Sequence, residues 1–364
     1  MDLPGLRARL KGGLAGKAAL GAASLAYGAA VRTRRLLYDW NVLGSSKLGC
    51  RVVCFGNLTA GGTGKTPAVA LAAQTLRQRK YGVVILSRGY GRKAGKKEVV
   101  VLRDGHVPPW TECGDEPWML HQALQGLDVP ILVAPDRVAA GLQALSFFQP
   151  DVILLDDGFG HLRLKRDLDV LMVHAARPFG DRRLLPYGDL REPLSALSRA
   201  KLIVLTHADQ VKPSELDLLK DELQERSPGA AVVESCHRPD YLLDASADRR
   251  LEPGSLRGQK AVSLSGIAEP EQFESLLASL GVELVQRWRF PDHHPFTLEE
   301  VRSIANARKG LPVVTTMKDL VRLPEGWKEA LGPGLHGLAV KLEITKGKAT
   351  WAKLLTEGLV SAHE

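Results

Sequence analysis

Aromatic residues make up only 5% of this 364-residue chain, and no basic stretch is interleaved with rings, which argues against a base-stacking surface and against nucleic acid as a partner. Cysteine is scarce. Cys50, Cys54, Cys113 and Cys236 are scattered without zinc-ligand spacing, so they read as reduced thiols in a cytoplasmic environment, with Cys54 a core residue. There is no internal repeat, no low-complexity tract, and no apolar run of the ~20 residues that a bilayer requires. What remains is 45% hydrophobic and 25% charged, the balance of a soluble globular protein. The length suggests two domains, or one large domain with an appendage. A net charge of +8 calls for an anionic partner; of nucleic acid, nucleotide and membrane surface, the scarcity of rings disfavours the first.

The most informative stretch is Thr59-Ala60-Gly61-Gly62-Thr63-Gly64-Lys65-Thr66, directly after the apolar run Val52-Val53-Cys54-Phe55. In a phosphate-binding loop the glycines let backbone N–H groups close on an anion, the lysine reaches the terminal phosphates, and the threonine hydroxyl holds Mg²⁺. Thr59 stands where the strict pattern has glycine. Helix-forming residues from Pro67 to Ala73 restore the context, because the loop then lies between a strand and a helix. A glycine-rich surface turn is the plainer alternative.

The first forty residues have another character. Leu3, Leu6, Leu10 and Leu14 follow helical spacing, with Arg7, Arg9 and Lys11 beside them. A small-residue run from Ala18 to Val31 comes next, then Arg32, Arg34 and Arg35. This pattern fits an interfacial helix on anionic lipid better than a signal peptide, and a helix packed on the protein's own body is the alternative. Because it lies upstream of every catalytic motif, it is expected to act on the lipid without touching the phosphates.

Beyond the loop, 82–86, 129–133, 151–155, 169–173 and 201–205 read as buried strands, while 67–79, 116–124 and 137–148 read as helices. Continuous apolar strands separated by helices predict an α/β fold with a mostly parallel sheet covered on both faces. Residues 237–258 read as a linker or ribbon. The expected organisation is an amino-terminal helix (1–40), a phosphate-loop domain (41–236), the ribbon, and a smaller α/β domain (259–364) with strands near 261–264, 282–287, 312–315 and 337–342.

Asp151 to Gly158 is a hydrophobic strand ending in Asp156 and Asp157, where a second Mg²⁺-holding element belongs. Tandem Asp also starts turns, but the upstream phosphate loop favours metal. Asp157-Gly158-Phe159-Gly160 and Thr206-His207-Ala208-Asp209 resemble GTPase elements, although the second lacks its lysine. Asp115 reads as a helix cap in Gly114-Asp115-Glu116-Pro117, and His293 and His294 occupy a short loop.

Those clusters, with Ser87-Arg88-Gly89-Tyr90-Gly91-Arg92, Ala134-Pro135-Asp136-Arg137, Leu190-Arg191-Glu192-Pro193 and Phe290-Pro291-Asp292-His293-His294, stand in one order over nearly the whole length. The chain resembles the tetraacyldisaccharide 4′-kinases, the lipid A kinases of Gram-negative bacteria. The resemblance implies transfer of the ATP γ-phosphate to the 4′-hydroxyl of a tetraacylated disaccharide 1-phosphate, a lipid A precursor, on the cytoplasmic face of the inner membrane. It further implies that Thr59, Ala60, Gly61, Gly62, Thr63, Gly64, Lys65 and Thr66 cradle ATP, and that Thr66, Asp156, Asp157 and Glu192 serve Mg²⁺. Asp115 would be the base, oriented by His293 rather than His294, with Tyr90, Arg137 and Arg191 on phosphate or sugar. Gly160 departs from the glutamine expected there, which bears on local substrate contacts. Other readings are a GTPase, a partitioning or metal-insertion ATPase, which needs lysine at Ala60, and a membrane-associated nucleotide-binding scaffold.

Overall fold

The computed structural model describes residues 7, 9–90, 92, 98–292 and 294–359. The chain opens with α1 (Leu14–Asp39), then β1 (Arg51–Gly56), α2 (Lys65–Gln78), β2 (Val83–Ser87), β3 (Val100–Leu102), α3 (Trp110–Cys113), α4 (Asp115–Leu124), β4 (Ile131–Val133), α5 (Arg137–Phe148), β5 (Val152–Leu155), β6 (Leu168–His174), β7 (Leu202–Thr206) and α6 (Pro213–Arg226). It continues through β8 (Ala231–Asp244), β9 (Arg249–Leu251), β10 (Lys260–Ser265), α7 (Pro270–Ser279), β11 (Glu283–Arg289), α8 (Leu298–Ala307), β12 (Val313–Thr316), α9 (Met317–Val321), α10 (Trp327–Leu331), β13 (Leu335–Lys346) and α11 (Lys348–Thr356).

All strands join one sheet in the order β11-β10-β12-β13-β8-β7-β6-β1-β5-β2-β4-β3, with β9 paired to β8. Neighbours are parallel from β8 to β4 and again from β13 to β11. The antiparallel β8–β13 pair joins these two parallel halves. Residues 237–258 comprise the rest of β8, a turn and β9, so the sheet runs unbroken through the segment read as a linker or ribbon.

The continuous apolar runs of β1, β5 and β7 have a direct cause: Val53, Phe55, Ile153, Leu154, Ile203 and Val204 are buried between helices on both faces. α2 lies close on the sheet because its inner positions are small, with Ala68, Ala72 and Ala73 fully buried. Pro67 is tolerated in its first turn, where backbone N–H groups lack intrahelical acceptors.

At 26 residues α1 spans about 39 Å. By length and composition it could cross a bilayer, which corrects the expectation drawn from the shorter run Ala18–Val31. One face is nevertheless bonded to the protein: the Ser24 hydroxyl donates to the Leu184 carbonyl at 2.8 Å and the Tyr27 hydroxyl to the Arg191 carbonyl at 2.8 Å. Leu14, Leu25 and Leu36, eleven residues apart and so on one stripe, are 89%, 77% and 45% exposed. Of the flanking basic groups, Arg34 donates to the Gly160 carbonyl at 3.1 Å and Arg35 lies 3.5 Å from Asp39. Leu3 and Leu6 lie outside the described residues.

Candidate active site

The carboxyl ends of β1 and β5 meet where β1 runs into the glycine-rich loop. Gly64 caps α2 at φ +76°, and a Cβ there would lie 2.8 Å from the His237 ring. Glycine is therefore required on two counts. Asn57 braces the loop entrance, donating through Nδ2 to the Thr59 carbonyl at 2.7 Å and accepting from Lys65 Nζ at 3.2 Å. Lys65 Nζ also stands 3.7 Å from Asp157 Oδ1, whose partner oxygen accepts from Arg191 at 3.1 Å. Arg191 is delivered by the segment 181–191, which pairs with the loop through Ala60 N to Asp189 O (2.7 Å) and Arg191 N to Leu58 O (2.6 Å).

Asp156 and Asp157 sit side by side with opposite electrostatics. Burial pushes the Asp156 carboxyl up to about 7, with repulsion from Glu116 and Asp157 adding and Lys65 opposing. For Asp157 burial acts in the same direction, but Lys65 and Arg191 outweigh it and its pKa is lowered. Asp156 Oδ2 accepts from the Ser87 hydroxyl at 3.4 Å, while its buried Oδ1 has no hydrogen-bond partner. An orphaned, desolvated carboxylate oxygen beside a second carboxylate suits a hard divalent cation with oxygen ligands. Glu116 belongs to the same cluster, its pKa raised first by burial and then by Asp115, against Lys65 and Lys318.

The other expected residues fall around this centre. Glu192 is held by Arg199 at 2.5 Å, and Arg199 also stacks on Phe159 at 3.9 Å. Arg137 is buried, donates to the Pro135 carbonyl at 3.1 Å and feels both Asp156 and Asp157. Tyr90 is 69% exposed. Its backbone passes so close to Gly114 that a Cβ there would meet Tyr90 O at 3.1 Å, which places the Tyr90 turn beside Asp115.

Asp115 is not the helix cap expected from its position. Gly114 occupies that place at φ +98°, and Asp115 is the first residue of α4. Its Oδ1 accepts the Glu116 N–H at 2.9 Å, and its Oδ2 accepts from Arg322 of the second half of the sheet. His293 lies outside the described residues. His294 Nε2 is 3.0 Å from both oxygens of Glu300 and its ring stacks on Phe290, so it is committed to its own loop.

The GTPase-like segment is packed differently from a guanine reader. His207 is stacked between His174 and His237, with ring centroids 4.5 and 4.3 Å away, and Asp209 pairs with Arg238 at 3.4 Å. A cleft of about 400 Å³ runs from Gly64 and Thr66 past His207 and Tyr241 to Lys318, between the two parallel halves. Lys318 and Arg322 were not singled out from the sequence. Asn57 and Glu116 stood there only as members of motifs, Asn57 just ahead of the glycine-rich loop and Glu116 as the second carboxylate of Gly114-Asp115-Glu116-Pro117, with no role assigned to either.

Comparison with known proteins gives one consistent answer. The profile of the tetraacyldisaccharide-1-P 4′-kinase family matches residues 17–359. The chain is 40% identical over 349 residues to a tetraacyldisaccharide 4′-kinase of Elusimicrobium minutum (strain Pei191), covering 96% of this chain and 93% of that protein. It is 41% identical over 356 residues to one of Anaeromyxobacter sp. (strain K), covering 97% and 93%. Among solved structures it is similar to LpxK of Aquifex aeolicus in complex with ATP, with a TM-score of 0.74 and 30% identity over 94% of this chain and 99% of that one.

Proposed function

The chain belongs to the tetraacyldisaccharide-1-P 4′-kinase family, and from that premise we propose a mechanism for its site. It is an ATP-dependent kinase that phosphorylates the 4′-hydroxyl of a tetraacyldisaccharide 1-phosphate, in lipid A synthesis. The observation that carries the mechanism is the convergence of Lys65, Asp157 and Arg191 over the buried Asp156 at the mouth of the glycine-rich loop.

In the proposal residues 59–66 cradle the ATP phosphates with backbone N–H groups, and Lys65 neutralises charge on the transferred phosphoryl group. Thr66, Asp156 and Asp157 would hold Mg²⁺, which when bound offsets phosphate charge. Support comes from the orphaned Asp156 oxygen. Glu192 would join them only on leaving Arg199. Phosphoryl transfer is mostly positioning and charge neutralisation, so these groups cover most of the electrostatic work. Asp115 would take the hydroxyl proton, with His293 orienting it. Arg137, Arg191 and Tyr90 would contact phosphate or sugar. The half of the sheet up to residue 236 would serve nucleotide, the part from 259 would close over the acceptor, and 237–258 would connect them. α1 would seat the protein on the anionic cytoplasmic face of the inner membrane, its exposed leucine stripe toward lipid.

The test is incubation of the purified protein with γ-labelled ATP, Mg²⁺ and detergent-dispersed disaccharide 1-phosphate. Label should enter the lipid in proportion to enzyme. Absence of labelled lipid would remove the proposal.

A further inference from the structure

Resting on the reading of Asp115 as the base, we propose that Arg322 is the positioning residue that aims it, reaching across from the other half of the sheet. Arg322 follows α9 directly, and its side chain and that of Asp115 are only 5% and 7% exposed. Nε and Nη2 both donate to one oxygen, Asp115 Oδ2, the first at 3.0 Å. Oδ1 takes the Glu116 N–H at 2.9 Å. Both oxygens are thus anchored, one by the guanidinium and one by the backbone. Rotation of the carboxylate is fixed by these bonds.

The guanidinium is itself held. Nη1 is 3.7 Å from Asp319 Oδ1, and the other Asp319 oxygen accepts from the Gly266 N–H at 3.0 Å and the Thr316 hydroxyl at 2.8 Å. Lys318, four residues before Arg322 and therefore on the same face, pairs with Asp292 at 3.3 Å and lowers the Glu116 pKa against burial. α9 thus turns two cations toward the two carboxylates that open α4. The base sits on the nucleotide half and its aim is set from the other half, so catalysis would require the halves to be together. Two planar donors on one oxygen are an arginine property; a lysine keeps the charge but loses the fork.

The test compares Arg322→Lys, Arg322→Gln, Asp115→Asn and the double variant Asp115→Asn/Arg322→Gln in the full chain, with kcat, both KM values and Tm recorded. Arg322→Gln should lower kcat by about 10²-fold while the KM for ATP stays within about threefold, and Arg322→Lys should recover about tenfold of the loss. The double variant should be little slower than Asp115→Asn, because the pair acts as a unit. A parental kcat in Arg322→Gln, a raised kcat, losses that multiply, or a lysine variant no faster than glutamine at equal Tm would each overturn the proposal. If Arg322→Gln does not fold, the lysine variant decides alone: a parental kcat, or a rise in the KM for ATP that matches its loss of kcat, overturns it. Should Asp115→Asn itself keep its rate, the base reading fails first; a slow Asp115→Asn beside a fast Arg322→Gln defeats this inference alone.

Discussion

Removing the Lys65 ammonium takes charge from between Asn57 and Asp157 and almost nothing from the core. Lys65→Ala is expected to lower kcat by about 10²-fold or more with Tm nearly unchanged, and a parental rate in the kinase assay would refute the loop assignment. Asp115 needs more care. Truncation to Ala would take the Asp115 carboxylate from the buried Arg322 guanidinium and leave it only its other contacts, such as Asp319, so a slow Asp115→Ala enzyme would confound chemistry with stability. Asp115→Asn keeps the shape, and its kcat should fall about 10²- to 10⁴-fold while ATP affinity, measured by direct binding, holds. Lys65, Asp156 and Asp157 were legible because each lies in a contiguous run whose strand and loop context can be read along the chain. Arg322 was not, since it meets Asp115 only through the fold, 207 positions away. The cap role read for Asp115 failed because Gly114, at φ +98°, takes the turn that a capping side chain would have made.

Among the elements, α1 shows most clearly what linear order hides. Its place upstream of every motif suggested independence from the phosphates, yet Ser24 and Tyr27 bond the 184–191 segment that carries Arg191 to Asp157. Deleting α1 would therefore disturb both substrates. Leu25→Glu, on the exposed stripe, separates the effects: binding to anionic vesicles should weaken and the KM for lipid rise, with the KM for ATP unchanged. Unchanged vesicle binding would assign α1 to packing alone. The buried parallel strands and the helices α2, α4 and α5 were readable, because apolar runs of four or five residues between helical patterns leave few arrangements in a parallel sheet, whereas α6 and the short β3 were not read. β8 was harder. Its half-buried second part carries Pro239 and mixes charged with apolar residues, which reads as a ribbon, while pairing with β13 makes it the seam of the sheet.

At the scale of the whole molecule, sensitivity to acid follows from histidines kept neutral by burial. His161 and His174 are lowered to about 4 and His237 to about 3, in each case first by desolvation. The unfolded chain titrates near the ordinary histidine value of about 6.5, so their contribution is complete above that pH and is lost as pH falls toward 4. Asp156 and Glu116, raised by burial, act in the opposite direction over part of the same range. The histidine share is therefore read by difference: Tm of the parent should fall more steeply between about pH 6.5 and 4.5 than Tm of His237→Gln, and parallel curves would contradict it. The two parallel halves, their cleft and the charges that line it converge on one claim, that the γ-phosphate passes to a lipid hydroxyl and not to water. A single-turnover reaction with γ-labelled ATP and disaccharide 1-phosphate, its products resolved and the phosphorylated position fixed by NMR, measures that directly. Label on the 4′-oxygen of the disaccharide is expected; label recovered only as inorganic phosphate, or at another hydroxyl, would contradict it.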